Sequence, residues 1–413
     1  MTQLSAWIVN HNSGAFCLRC VESLIEEWGA AGRSKDDLEV IVVDSGSTQD
    51  ESHWWKELRR IGTRVVVRES NVGYARGMAV ARGHSRGGPN DLVAVLNPDL
   101  YFLAGSVLRL LNAFELDPQL AVAGPRAYID EACELLLPSQ VPPTPLAELA
   151  ELASHFSPSW ARRRAADRTR RDHAHWTATE PRTETMLSGA CLFLRRSVLD
   201  QLGGLFDQRY PLYYEDADFA RRVARAGLRA QLIPDAQILH HWSRSAGSGE
   251  AFAGEPARRH AISRRLYMRR WYGRTTERLA TALRDVLARR LARRGPRAMH
   301  EFQDLGECTE PPRIEFAEPS VLLEWSVTPN FSLAAGSLID GTDVRLSARS
   351  WSWLFPGRYY LRAVRRSDLA VLGAWTFMKA SQARAWPVDP EALVSDEAPR
   401  YRRVNGAEAL KWR

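Results

Sequence analysis

The sequence predicts an α/β domain built on a mostly parallel sheet, followed by a small all-β, sandwich-like module. Two observations predict the first part. Apolar runs alternate with stretches of helical period over the first 240 or so residues, and those runs are near-continuous, as strands covered on both faces require. A third predicts the module: from Arg313 to Lys379 the apolar period shifts towards two, with Gly, Pro, Asn and Asp between the runs.

The elements follow in order. Ala6 to Val9 is a short strand that ends in Asn10-His11-Asn12-Ser13, and a helix runs on through Leu18, Val21, Leu24 and Ile25. Leu38 to Val43 is the second strand; it stops at Asp44, before the polar run Ser45 to Asp50 and another helix. Arg64 to Val67 is the third, and Asn71 to Gly77 turns into a helix reaching about Gly83. Leu92 to Leu96 is the fourth and stops at Asn97-Pro98-Asp99. Polar residues thus stand at the carboxyl ends of strands one, two and four, where open α/β sheets bind ligands. Ala121 to Ala123 is a further strand.

Residues 134–185 differ in character. Pro138, Pro142, Pro143 and Pro145 break the first part, and Ala147 to Phe156 suits a short helix. Arg162-Arg163-Arg164 and Arg168-Thr169-Arg170-Arg171 form a basic patch edged by Trp160 and Trp176, which predicts a mobile insertion over the site, on the acceptor side. Ala190 to Leu194 reads as a buried strand, followed by a polar, aromatic loop. Glu215, Asp216 and Asp218 then open a helix that ends at Gly227. Arg229 to Ile233 and Ala236 to Leu239 suit two short strands leading to His240-His241. The expected division is a catalytic domain over 1–254, a basic helical segment over 255–295, a linker over 296–312, the β-module over 313–382 and a polar tail over 383–413.

Composition bounds the function. A length of 413 residues suits two or three domains, and 45% hydrophobic with 25% charged residues is ordinary for a globular protein. No apolar run is long enough to span a bilayer. The start, MTQLSAWIVNHNSG, lacks a basic stretch before an apolar core, so a cytoplasmic protein is expected. Five scattered cysteines make no disulfide framework, and Cys17-x-x-Cys20 falls within a helix as two small buried residues. Between Glu255 and His300 stand 14 Arg against three acids, so the net charge of +7 belongs to that one segment. Arginine favours phosphate and acidic headgroups. A solvated helix packed on the domain is the other reading.

Each strand-end cluster has a chemical and a plain reading. Asp44, with Ser45, Ser47 and Asp50, can accept a hydrogen bond from a pyrimidine N–H or a ribose hydroxyl, or can simply cap the next helix. Asn71-x-Gly73-Tyr74-x-Arg76 places backbone N–H groups and a guanidinium where a diphosphate would fit, or is an ordinary strand-to-helix loop. Asp99 can give one carboxylate to Mg²⁺ or Mn²⁺, and His240 or His241 can complete the shell; strand alternation sends only one of the two histidines to the site. Acids in a first helical turn suit the helix dipole. Surrounded by tyrosines and an apolar strand, Glu215 and Asp216 can also have raised pKa values, which suits a base that deprotonates a hydroxyl.

The order and spacing of these parts resemble family 2 glycosyltransferases of the GT-A fold, most of all the bacterial rhamnosyltransferase branch. The resemblance is carried by Val42 to Thr48, Asn71 to Gly77, Leu96 to Asp99, Ser188-Gly189-Ala190, Tyr214 to Phe219 with Arg222, and His240 five residues before Ser245, and it covers roughly residues 4–275. The chain departs from the pattern at Met78-Ala79, where asparagines are frequent, and in having Asn97-x-Asp99 for Asp-x-Asp. The resemblance implies a nucleotide-diphospho-sugar donor, with Asn10, Asn12, Asp44, Ser47, Asn71, Gly73, Arg76 and Asn97 around it. A divalent cation (Mg²⁺ or Mn²⁺) would sit on Asp99 and His240. Asp216 would be the general base of an inverting transfer, and Glu215 would orient it or the acceptor. L-Rhamnose from dTDP-L-rhamnose is the expected donor, with a UDP- or GDP-sugar as the alternative. The acceptor would be a glycan or a polyprenyl-diphosphate-linked sugar, reached at the inner face of the plasma membrane. A non-catalytic scaffold in a polysaccharide assembly complex is the rival class. Nucleic-acid binding through residues 255–300 would leave the strand-end groups unexplained, so no nucleic-acid partner is expected.

Overall fold

The computed structural model describes residues 3–241, 254–295 and 297–380. In chain order it begins with β1 (Leu4–Asn10), α1 (Gly14–Ala30), β2 (Leu38–Asp44), α2 (Ser52–Arg60), β3 (Arg64–Val67), α3 (Tyr74–His84), β4 (Leu92–Leu96), β5 (Leu100–Phe102), α4 (Ser106–Leu116) and β6 (Leu120–Tyr128). It continues with α5 (Pro145–Ser154), α6 (Pro158–Trp176), β7 (Arg182–Thr183), β8 (Cys191–Arg195), α7 (Arg196–Gln201), α8 (Glu215–Arg225), β9 (Arg229–His240) and α9 (Glu255–Arg294). The last part holds β10 (Gln303–Cys308), β11 (Ile314–Glu315), β12 (Val321–Ser326), β13 (Ala335–Ile339), β14 (Asp343–Val344), α10 (Ala348–Trp353), β15 (Gly357–Arg365) and β16 (Val371–Lys379). The described residues form two compact units: one from 3–127, 179–241 and 254–257, the other from 128–178, 258–295 and 297–380.

The first unit is organised by a nine-stranded sheet in the order β3-β2-β1-β4-β8-β6-β9-β5, with β7 beside β9. β3, β2, β1 and β4 run parallel, and β8 turns antiparallel against β4. Every residue of β1 and β4 is buried, which accounts for the apolar runs Ala6–Val9 and Leu92–Leu96. Helix α1 lays Cys17, Cys20, Val21, Leu24 and Trp28 on the sheet, and α4 adds Val107, Leu110 and Phe114. Cys17 and Cys20 are buried free thiols, as their place in an amphipathic helix predicts. In the order 3-2-1-4 the sequence of connections switches sides between the parallel strands β1 and β4, the place at whose carboxyl ends open α/β sheets bind ligands. Residues 229–240, expected as two strands, are one. Pro234 falls between Leu232, which pairs with β7, and Ile238, which pairs with β5, so its missing N–H interrupts neither ladder.

The second unit holds a five-stranded sheet, β10-β16-β15-β12-β13, and the two-stranded ribbon β11-β14. Its core gathers Val321, Leu323, Trp325, Trp351, Tyr359, Leu361 and Phe377. Trp351 and Trp353 lie on α10, and both are buried, so they are core aromatics. β10 forms within the stretch expected as a linker. The polar tail expected over 383–413 lies outside the described residues.

Residues 128–178 belong to this unit, which corrects the expectation of a mobile insertion. α6 is a 19-residue helix whose Arg168 is buried. Arg168 reaches Asp172 at 3.0 Å and Glu324 of β12 at 2.5 Å, while Glu324 also accepts from Thr169 and from Arg362 of β15. Four charges out of water persist only as a closed network. Burial alone would push the Glu324 carboxyl up, but Arg362 and Arg168 outweigh it and hold it below the ordinary range. Trp176 is fully buried and donates to the Leu137 carbonyl at 2.7 Å. α9, expected as one or two helices, has non-helical backbone at Gly273, which separates two helical halves.

Candidate active site

All the predicted site residues lie in the first unit. Asn10 and Asp44 end β1 and β2 in register, and Asn97 and Asp99 follow β4. The sheet therefore brings together side chains far apart in sequence.

Asp44 is 2% exposed. Its Oδ1 accepts from the Ser47 hydroxyl at 2.5 Å and from Asn10 Nδ2 at 3.3 Å, and its Oδ2 accepts from the Ser47 N–H at 3.1 Å. Asn10 also donates to Glu51 at 2.8 Å. Asn12 accepts through Oδ1 from the N–H groups of Thr48 and Gln49, and its own N–H donates to Ser47 Oγ. Asn10 and Asn12 thus strap the loop after β2 around Asp44. That loop packs on the one after β3. Gly46 has φ +61°, and a Cβ there would stand 2.3 Å from the Ser70 carbonyl carbon, so only glycine fits. Beside it, Ser45 bonds Asn71 and receives the Val72 N–H.

Gly73 is the N-cap of α3, and its N–H is taken by Asn71 Oδ1 at 2.9 Å. Arg76 is exposed and donates through Nε to the Gln208 carbonyl at 3.3 Å, which ties α3 to the loop that leads to α8.

Asp99 and His240 meet where β5 pairs with β9, and both are buried. Asp99 Oδ1 lies 3.5 Å from His240 Nε2, and Asn97 Nδ2 lies 3.5 Å from the same nitrogen. His241 instead sets its ring against Phe16, 5.8 Å between centroids. Of the two histidines, the strand turns His240 to Asp99. Burial holds the His240 imidazole below its ordinary pKa, against the pull of Asp99, so its neutral, ligating form is favoured near neutral pH. Two donors bound to one ion at ~2.1 Å each stand roughly 3 to 3.5 Å apart, so this pair fits a divalent cation. Among the described residues no group of three or more His, Cys, Asp or Glu is placed to hold a metal.

Opposite stands the start of α8. Tyr213 and Tyr214 have φ of +62° and +67°, a strained pair that turns the chain sharply into the helix. Glu215 is 6% exposed, and its Oε2 is buried without a hydrogen-bond partner. Burial, and then the neighbouring Asp216, push its pKa up to about 8. Asp216 is partly exposed and accepts from the Ala217 N–H at 2.8 Å. Burial also raises its pKa, opposed by backbone N–H groups that include Gly189. Gly189 is pressed against it: a Cβ there would lie 2.7 Å from that of Asp216. Asp218 is fully buried and pairs with Arg222 at 2.9 Å, and Arg222 donates to the carbonyls of Leu202, Gly204 and Leu205. That pair is structural, as the i, i+4 spacing suggests.

Two tyrosines link the halves of the site. The Tyr74 hydroxyl donates to the Gly189 carbonyl at 3.1 Å. Burial raises its pKa well above the ordinary value, with Glu215, Asp216, Cys191 and Asp99 adding to the shift. Tyr213 is raised by burial and by the same three carboxylates. The Asn97 N–H donates to the Ala190 carbonyl at 2.8 Å, next to the Gly189 that presses on Asp216, so the end of β4 and the start of α8 are neighbours.

Sequence reasoning missed Glu51 and Tyr74. Glu51 is buried, with its pKa raised by that burial, and it accepts from Asn10 Nδ2 and from the Gly14 N–H; the neighbouring Asp50 only holds the Ser52 N–H. Nothing local separates these adjacent acids. Gly14 was the available signal, since a side chain there would strike Glu51 and Trp54.

The model for "Glycosyl transferase family 2" matches residues 5–203, which include the loops from Asn10 to Asp99 and stop short of Glu215. An N-acetylglucosaminyl-diphospho-decaprenol L-rhamnosyltransferase of Mycobacterium tuberculosis is 30% identical over 226 residues, 52% of this chain and 70% of that protein. The O-antigen biosynthesis protein RfbC of Myxococcus xanthus is 25% identical over 50% of this chain and 15% of its own length. Among solved structures, the mannosyltransferase PcManGT from Pyrobaculum calidifontis, in complex with GDP-Man and Mn²⁺, is 16% identical over 71% of this chain and 76% of that one, with a TM-score of 0.38. The sheet, expected to be mostly parallel, is mixed: β3, β2, β1 and β4 are parallel, and the pairs of β8 with β4 and β6, and of β9 with β5 and β7, are antiparallel. Such a curled, mixed sheet is the GT-A arrangement, and with the family match and the rhamnosyltransferase relative it makes this chain a glycosyltransferase of family 2.

Proposed function

We propose that the chain transfers L-rhamnose from dTDP-L-rhamnose, with inversion, to a hydroxyl of a glycan or a polyprenyl-diphosphate-linked oligosaccharide. The work would be done at the inner face of the plasma membrane, in cell-surface polysaccharide synthesis. The sugar and the lipid-linked acceptor are supported by the relative from M. tuberculosis, whose name states both. One observation carries the chemistry: Asn97, beside the Asp99–His240 pair, is bonded to Ala190, and the adjacent Gly189 presses on Asp216, so a cation-binding pair and a candidate base stand near one another.

In this reading Asp44 and its strap hold the nucleoside, and the loop from Asn71 to Arg76 lies along the diphosphate. A divalent cation on Asp99 and His240 would neutralise charge on the leaving diphosphate. Asp216 accepts the proton of the acceptor hydroxyl, whose oxygen forms the new bond to the anomeric carbon. The bond from that carbon to the diphosphate breaks on the opposite face, and the nucleoside diphosphate leaves with the electron pair. With its pKa pushed up to about 8 by burial and by Asp216, Glu215 favours its protonated form near neutral pH, so it can donate to Asp216 or to an acceptor oxygen.

A donor panel tests this reading. Turnover and thermal shift would be measured with dTDP-L-rhamnose, UDP- and GDP-sugars, each with Mn²⁺ and with EDTA. The expected result is turnover with dTDP-L-rhamnose alone, lost in EDTA and in Asp99→Ala. Turnover restricted to a UDP- or GDP-sugar overturns the donor, and activity indifferent to EDTA and to Asp99→Ala overturns the cation.

A further inference from the structure

The second half of α9, residues 274–294, has two faces. Glu277 and Ala280 are buried on one, and Thr281, Leu287 and Leu291 are half-buried beside them. On the other side Leu279, Leu283 and Val286 are 68%, 48% and 39% exposed, with Ala282 exposed between them. Their i, i+4, i+7 spacing makes one continuous apolar stripe. Seven arginines fall in this half against two acids, and both acids are paired: Glu277 with Arg269 at 2.9 Å, Asp285 with Arg284 at 3.8 Å. Arg278 and Arg289 flank the stripe, and Arg290, Arg293 and Arg294 stand at its carboxyl end, all exposed. Among the described residues no helix is long and apolar enough to cross a membrane.

We propose that this half-helix docks on an anionic lipid leaflet, its stripe set between the headgroups and its arginines on their phosphates. The charge selects the occupant. A second copy of the same helix would bring two strongly basic surfaces together, whereas an anionic leaflet meets the leucines and the guanidinium groups at once. Arginine stems can lie along the apolar boundary while their heads reach phosphate. The inference rests on the membrane-face reading above, to which it adds the surface and the lipid charge.

The test is flotation of the full chain with phosphatidylcholine vesicles, with and without phosphatidylglycerol. Binding is expected only with the anionic lipid and should weaken with salt. Leu279→Ser/Leu283→Ser and Arg289→Glu/Arg293→Glu should each lower it about tenfold or more, with the thermal midpoint unchanged. In the unsubstituted chain, hydrogen exchange over 274–294 should slow when anionic vesicles are added. Wild-type binding that both variants retain, with exchange over 274–294 unaltered, overturns the helix assignment and leaves the membrane-face reading standing. No binding to either vesicle overturns both. A variant that dissociates a dimer yet still floats overturns the lipid assignment, as does a preference for duplex DNA over anionic vesicles.

Discussion

Glu215 and Asp216 are adjacent acids in one helical turn, and their surroundings separate their roles. Glu215 is buried with one oxygen unbonded, while Asp216 is partly exposed and accepts backbone N–H groups. Glu215 therefore titrates at about 8 and holds the shared proton near neutrality. Two outcomes follow for Glu215→Gln, which fixes the neutral form. Transfer at neutral pH should change by no more than a few-fold, and the pH–rate profile should differ on its alkaline side, where Glu215 ionises beside Asp216 and the amide does not, while the acidic limb stays in place because Glu215 is already neutral there. A loss of 100-fold or more would mean that Glu215 acts ionised. The stability sign runs the same way. The unfolded state releases the Glu215 proton near the ordinary value of 4.5 and the folded state at about 8, so ionisation weakens the fold progressively across that window. Glu215→Gln should then raise the thermal midpoint more at alkaline than at acidic pH. Of this the sequence displayed the acids and their aromatic company. It could not display which oxygen is buried.

At the scale of elements, the parallel strands were legible because each is an unbroken apolar run ending in a polar residue, as at Val43-Asp44 and Leu96-Asn97. α6 was not. Its composition is that of a solvated basic helix, and besides Asp172 within the helix the partner of Arg168 is Glu324, some 150 residues away on β12. The strand β15 supplies Arg362 to the same carboxylate, so the helix is tied to the centre of its sheet by charge as well as by Trp176. Glu324→Ala would leave two guanidinium groups buried without their shared carboxylate. A cost of about 3 to 5 kcal/mol is expected in urea unfolding of the full chain, against under ~1 kcal/mol for an exposed pair such as Arg170–Asp167. Equal, small effects for both pairs would show that the network carries no weight. The buried carboxylate also predicts a pH dependence. Glu324 is held below its ordinary pKa, so its contribution is present above that value and is lost as pH falls through the depressed one.

For the whole molecule, the site exists only through convergence. Asn10, Asp44, Asp99, Gly189, Asp216 and His240 span over 200 residues of chain and are gathered by one sheet whose order of connection switches sides between the parallel strands β1 and β4. The alternation of strands with helices was legible, but their order in the sheet was not, because alternation leaves it open. The choice of His240 over His241, and the bridge from Tyr74 to Gly189, needed coordinates, because both depend on which face of a strand or helix turns inward. The central claim is that Asp216 takes the acceptor's proton within this shared cleft. Asp216→Asn keeps the shape and removes the base, so sugar transfer and donor binding, measured side by side on that variant, test the claim most directly. The account predicts that transfer falls by three orders of magnitude or more, on the order of 4 kcal/mol in the barrier, with donor affinity within a few-fold of the wild type. Transfer at the wild-type rate with the donor bound would contradict it.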